Sequence, residues 1–177
     1  MSKRSSIERS SSRPLEDDGY LRNGGELPLS SESLIEILQA VLERGATFRF
    51  KAKGFSMYPF INDGDVVTIS RLQSPPGLGD VVAFLNLGSS KLAVHRVVGI
   101  KGSSYIIKGD NIPDIDGLIP KENVLGRVTR SESMSREVPL GLGRERLLIA
   151  VLSRNGLLFP IMTIYRLVCA LIRRVPS

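Results

Sequence analysis

The sequence has one cysteine, Cys169, one histidine, His95, and no tryptophan in 177 residues. A single cysteine excludes an internal disulfide framework and a cysteine-based metal site. A single histidine excludes a multi-histidine metal centre, so any imidazole chemistry belongs to His95. No metal or organic cofactor is expected from the residues present. The N-terminus has no apolar run of the secretory-signal type. Its early Arg and Ser resemble a mitochondrial transit peptide only in part, because Glu8, Glu16, Asp17 and Asp18 run against that pattern.

What is present is enough for one domain with a real core plus extensions. The net charge of +6 is unevenly placed. Residues 1–30 carry five basic and five acidic residues, and residues 31–126 carry ten of each. Residues 127–177 carry nine Arg and three Glu, so the whole excess lies there. A basic, apolar C-terminal part points to an anionic partner, and its apolar content favours a membrane surface over nucleic acid.

Residues 1–30 are rich in Ser, Arg, Asp and Glu and cannot bury enough surface to offset the entropy of ordering; they read as disordered. The next stretch, 31–44, predicts an amphipathic helix that Gly45 ends. Ser31 is its expected cap, and Leu34, Ile35, Leu38, Val41 and Leu42 fall on one face. From Ala46 the period changes to two. Strands are predicted at 47–51, 66–70, 81–85, 92–100, 104–108 and 124–129, separated by Gly/Asp and Pro-Pro-Gly turns. The fold class is therefore mainly β: a compact antiparallel β domain over about 46–130, with an N-terminal helix at 31–45.

Residues 131–146 are polar, with Pro139, Gly141 and Gly143, and read as a linker or surface excursion. Residues 147–172 form an apolar, helical segment broken by Arg154-Asn155-Gly156, Pro160 and Arg166. Three readings stay open for it: a helix packed on the β domain, an in-plane amphipathic anchor, or a short span. If it spans, Arg173 and Arg174 place the C-terminus in the cytoplasm. The expected location is accordingly membrane-associated, or cytoplasmic if the segment packs on the domain.

Three segments carry chemistry. Lys53-Gly54-Phe55-Ser56-Met57-Tyr58-Pro59 places a small nucleophile on a corner. Val94-His95-Arg96-Val97-Val98-Gly99 supplies an imidazole, and Lys108-Gly109-Asp110-Asn111 with Asp114 and Asp116 supplies carboxylates. A serine hydroxyl is a poor nucleophile until a base takes its proton. Neutral imidazole is a suitable base near neutral pH. A carboxylate on the far ring nitrogen fixes the tautomer and stabilises the imidazolium.

In sequence order, Gly-x-Ser-Met-x-Pro, Gly-Asp-Val-Val, His-Arg-Val-Val-Gly and Lys-Gly-Asp-Asn with a later Asp resemble type I signal peptidases and their relatives in the same serine-peptidase group. The resemblance covers about residues 46–130. The common bacterial members carry lysine as base in the second box; the archaeal, endoplasmic-reticulum and spore-former members carry histidine, and His95 is similar to that branch. The resemblance implies Ser56 as nucleophile, His95 as general base, Asp116 as the carboxylate behind His95 with Asp114 as an alternative, and Asp110 as a second important acid. The Ser56 N–H would form part of the oxyanion hole, and Gly54 and Met57 would line the substrate site. The implied fold is a β-rich domain with the site at one edge. The implied substrate is a peptide or preprotein held as an added strand and cut after a small residue; no nucleic-acid partner is expected. The chain departs from many signal peptidases in having Gly54 where they carry a hydroxyl residue, and in lacking an apolar anchor ahead of the serine box. The Gly-x-Ser-Met spelling is closer to the self-cleaving repressors, which use lysine and carry a DNA-binding domain.

Overall fold

The computed structural model describes residues 30–164, apart from residues 135, 159 and 162. Residues 1–29 of the expected disordered stretch 1–30, and residues 165–177, which include the end of the apolar segment, lie outside the described residues.

The first element is helix α1, Ser31–Glu43. Its cap is Ser30 rather than Ser31: Ser30 is extended and its hydroxyl accepts from the Ser33 N–H at 3.1 Å. The shift of one residue follows from the chemistry, since a cap must itself lie outside the helix to reach back to the third N–H. Leu38 and Leu42, one turn apart, are buried against the sheet.

Eight strands follow: β1 (Phe48–Lys51), β2 (Val66–Ser70), β3 (Val81–Asn86), β4 (Lys91–Lys101), β5 (Ser104–Lys108), β6 (Ile115–Pro120), β7 (Val124–Ser133) and β8 (Arg136–Glu137). They form one antiparallel sheet in the order β1-β2-β7-β3-β4-β5-β6, with β8 on β7. Register shifts interrupt β2–β7, β3–β7, β4–β5 and β5–β6. Such irregularities bend strands and raise the twist. The sheet curls, and β1 and the start of β4, with three strands between them in the order, line one cavity.

The core has two main parts, one on each face of the central strand β3. Val81 and Ala83 pack with Leu38, Leu42, Met57, Ile61, Val67, Ile69 and Val128. Val82 and Phe84 pack with Val97, Tyr105, Ile107, Ile119 and Val124. A strand buried on both faces reads as a continuous apolar run, as Val81-Val82-Ala83-Phe84 does.

Six of the strands lie where the alternation places them; β6 and β8 do not appear in that pattern. The stretch 131–146 is not a linker over the surface. It extends β7, pairs as β8 and brings the Gly141 carbonyl onto a buried guanidinium. Helix α2 (Arg146–Arg154) then packs its Ile149, Ala150 and Ser153 inward. It stops at Asn155-Gly156, so the described part of the C-terminal apolar segment is one short packed helix and a few helical residues after it. Among the described residues no helix is long and apolar enough to cross a membrane.

Leu38 is fully buried and joins α1 to both β2 and β3. Leu38→Ala should cost about 2–5 kcal/mol, from lost transfer energy plus the cavity left behind. Urea unfolding followed by circular dichroism measures this; a cost below about 1 kcal/mol would show that α1 is not part of the core.

Candidate active site

The serine sits on a compact turn after β1. Gly54 has φ +92°, a conformation open to glycine and strained for other residues, and its N–H donates to Asp63 Oδ1 at 2.7 Å. The Tyr58 N–H donates to the Phe55 carbonyl at 3.2 Å, and the Phe60 and Ile61 N–H groups to the Met57 carbonyl at 3.0 and 3.1 Å. The Tyr58–Pro59 peptide is cis. Met57, Phe60 and Ile61 are buried, so the turn is fixed from below by apolar side chains while Ser56 stays partly exposed.

The turn is fixed from the side by the Gly109-Asp110-Asn111 segment. The Asn111 N–H donates to the Ser56 carbonyl at 2.8 Å, and Asn111 Nδ2 to the Phe55 carbonyl at 3.1 Å. This approach requires glycine at 109, because a Cβ there would lie 2.9 Å from the Ser56 carbonyl oxygen. The Ser56 N–H has no backbone acceptor among the described residues.

His95 lies on β4 opposite Val82 and is buried. Its Nδ1 is 2.6 Å from Asp116 Oδ2, and its ring centroid is 5.9 Å from that of Phe84. A carboxylate on Nδ1 fixes the proton there in the neutral ring and leaves Nε2 as the basic nitrogen. Asp116 reaches this position through a bulge. Ile107 pairs with Gly117 and Lys108 with Ile115, so Asp116 is the extra residue between two ladder pairs. Bulges re-aim side chains in this way.

Asp110 has a different partner. Arg96 Nε donates to its two oxygens at 2.9 and 3.1 Å, and Nη2 to Oδ2 at 2.7 Å, with both side chains fully buried. Arg96 Nη1 also donates to the carbonyls of Gly79 and Gly141, at 2.8 and 2.7 Å, and the guanidinium lies 5.4 Å from the Phe60 ring centroid. Burial pushes the Asp110 carboxyl above the usual carboxylate range, and Arg96 offsets this in part. The acid in the Gly-Asp-Asn turn is thus a structural ion-pair partner. Asp114 is exposed and has no hydrogen bond to His95.

A cavity of about 550 Å³ lies between β1 and the start of β4. Ser56, Met57, Gly54 and His95 line it, with Leu34 of α1 and Phe50, Ile61, Leu92 and Val94 supplying apolar walls. No hydrogen bond joins Ser56 Oγ to His95 among the described residues. Catalytic pairs without substrate are often loose and tighten on binding. No cluster of metal-binding side chains occurs among the described residues.

The sequence motifs named Ser56, His95, Asp116 and Asp110; the structure puts Ser56 and His95 on one cavity, Asp116 on His95 and Asp110 on Arg96. The motifs contained Arg96 but gave it no role; its position inside an apolar strand was the available signal. A buried arginine needs a carboxylate partner. A curled antiparallel sheet carrying a serine turn beside a His–Asp pair is the architecture of a serine peptidase of the repressor and signal-peptidase kind. Residues 18–129 match the Peptidase S24-like family, and the chain belongs to it. No curated protein matches the sequence.

The two acids should separate on substitution. Asp110→Asn leaves Arg96 buried without a full counter-charge and should cost about 3–5 kcal/mol of stability. Asp116→Asn, at a partly exposed carboxylate, should cost far less in thermal unfolding. Equal melting temperatures for the two variants would contradict the structural role of Asp110.

Proposed function

We propose that the protein is a serine endopeptidase resembling type I signal peptidase, which cuts a signal- or leader-type peptide beside a membrane. The observation that carries the chemistry is the 2.6 Å contact between His95 Nδ1 and Asp116 Oδ2, on the cavity that Ser56 also lines. In this reading His95 Nε2 takes the Ser56 Oγ proton as Oγ attacks the scissile carbonyl carbon. Asp116 stabilises the imidazolium. The Ser56 N–H donates to the oxyanion, with no side-chain hydroxyl at Gly54 to help. His95 then returns the proton to the leaving amine, and the acyl-enzyme is hydrolysed by a water that His95 activates.

Peptide binding is supported by two edges of the sheet among the described residues. Among the described residues β1 pairs only with β2, and β5 covers β4 only from Arg96 onward. Residues 91–95 of β4 and Phe48–Phe50 of β1 therefore present edges that no other strand among the described residues pairs, and an extended peptide can add there as a strand. The apolar walls suit small apolar side chains at alternate positions.

One observation favours a second reading, self-processing. Leu34, in the first turn of α1, lines the same cavity. Ser30, the first described residue, thus lies about one helical turn, ~6 Å along the helix, from a residue of the cleft wall.

A fluorophosphonate probe tests the enzyme. Ser56 should be labelled, Ser56→Ala should not be, and His95→Ala should slow labelling by roughly 10²–10⁴-fold. Absence of labelling in the wild-type chain would leave a peptide-binding module of the same fold. A mass spectrum of the purified chain separates the two peptidase readings: shortening that Ser56→Ala abolishes, at a rate independent of protein concentration, marks self-processing.

A further inference from the structure

Helix α2 lies beyond residue 129, outside the part of the chain that matches the family. Its inner face is specified in detail. Ile149 packs with Phe60 and Leu158, and Lys108 Nζ donates to the Ser153 carbonyl at 2.7 Å. Arg154 Nη1 donates to the Val98 carbonyl at 3.4 Å, and Arg146 Nη1 is 3.4 Å from Asp80 Oδ1. The helix is therefore held in one orientation, with its opposite face fixed outward.

That outward face is apolar. Leu147, Leu148 and Val151 are 52, 61 and 47 % exposed. Beyond Gly156, Leu157, Ile161 and Ile164 recur at helical spacing and are 50, 43 and 61 % exposed. Bulky aliphatic side chains in such a row are uncommon on a free surface. Beside them Arg144 is exposed, and Arg146 and Arg154 keep exposed side chains while also reaching Asp80 and the Val98 carbonyl; the sequence after Glu145 adds Arg166, Arg173 and Arg174 and no acidic residue. Apolar side chains on one face with arginines beside them match an anionic lipid surface, where the former enter the headgroup boundary and the latter meet phosphate.

We infer that the outer face of α2 and the helical residues after it form an in-plane docking surface for anionic membrane lipid. The surface does not depend on the peptidase reading, and Ser56→Ala leaves it intact. It would hold the cleft beside the bilayer without a spanning helix.

Co-sedimentation of the full chain tests it, using vesicles of phosphatidylcholine alone and of phosphatidylcholine mixed with phosphatidylglycerol. The chain should sediment with the mixed vesicles, and added salt should release it. Leu148→Glu/Val151→Glu should lower the bound fraction about ten-fold, and Arg144→Glu should lower it a few-fold. A near-UV circular dichroism spectrum checks the fold of the double variant; if that fold is lost, Arg144→Glu decides alone. A chain that stays in the supernatant overturns the inference, as does equal binding to phosphatidylcholine alone or undiminished binding by the variants. A wild-type dimer in light scattering that the double variant converts to monomer would also overturn it, because the face would then join two copies.

Discussion

The fully buried pair Arg96–Asp110 is the constraint on which the rest of the structure depends. Moving two such charges out of water is costly, and their attraction repays the cost only when every remaining donor is satisfied. Here Arg96 is satisfied by the carboxylate, two carbonyls and the face of Phe60. Those partners come from four places: the Gly-Asp-Asn turn, the turn before β3, the loop before α2, and the end of the serine turn. One guanidinium thus ties together segments that span Phe60 to Gly141.

The consequence for the site is register. His95 and Arg96 are consecutive in β4, so they point to opposite faces of the strand. His95 shares its face with Val82, and Arg96 with Val81. A slip of one residue would exchange them, placing a guanidinium at Asp116 and an imidazole among the carbonyls that Arg96 now satisfies. Specifying the buried cation specifies the position of the base. The same pair fixes the nucleophile from the other side, because Asp110 lies between Gly109, which touches the Ser56 carbonyl, and Asn111, which donates to it.

This division of labour explains what could be read from the sequence. α1 and six strands follow from the spacing of apolar residues, because each has one buried face or two. β6 does not, since Ile115-Asp116-Gly117-Leu118-Ile119-Pro120 carries a bulge, a glycine and a terminal proline. Those features mark loops in general, yet an edge strand tolerates them. Asp116 was therefore reachable only through resemblance to known motifs. The same local signals hid β8 and the inward path of 138–141, where the deciding contact is with Arg96, 45 residues away in sequence. Long-range satisfaction of a buried charge leaves no periodic trace.

The C-terminal extension is bound into this arrangement as well as added to it. Lys108 is buried at the end of β5, one residue before the Gly-Asp-Asn turn, and its ammonium meets the Ser153 carbonyl at the C-terminal end of α2. Carbonyls at a helix C-terminus carry partial negative charge and suit a cation. Glu145, just before α2, has its carboxyl held below the usual range by its own backbone N–H first and then by the Gly141 and Gly143 N–H groups that donate to it. That contact shapes the loop whose carbonyl Arg96 uses. Without the extension two buried cations, Arg96 and Lys108, would each lose an acceptor, and both flank elements of the site. The helix that turns its apolar face outward is thus also part of the shell that fixes the Gly-Asp-Asn turn, so the orientation of that face and the placement of Ser56 are set by the same contacts.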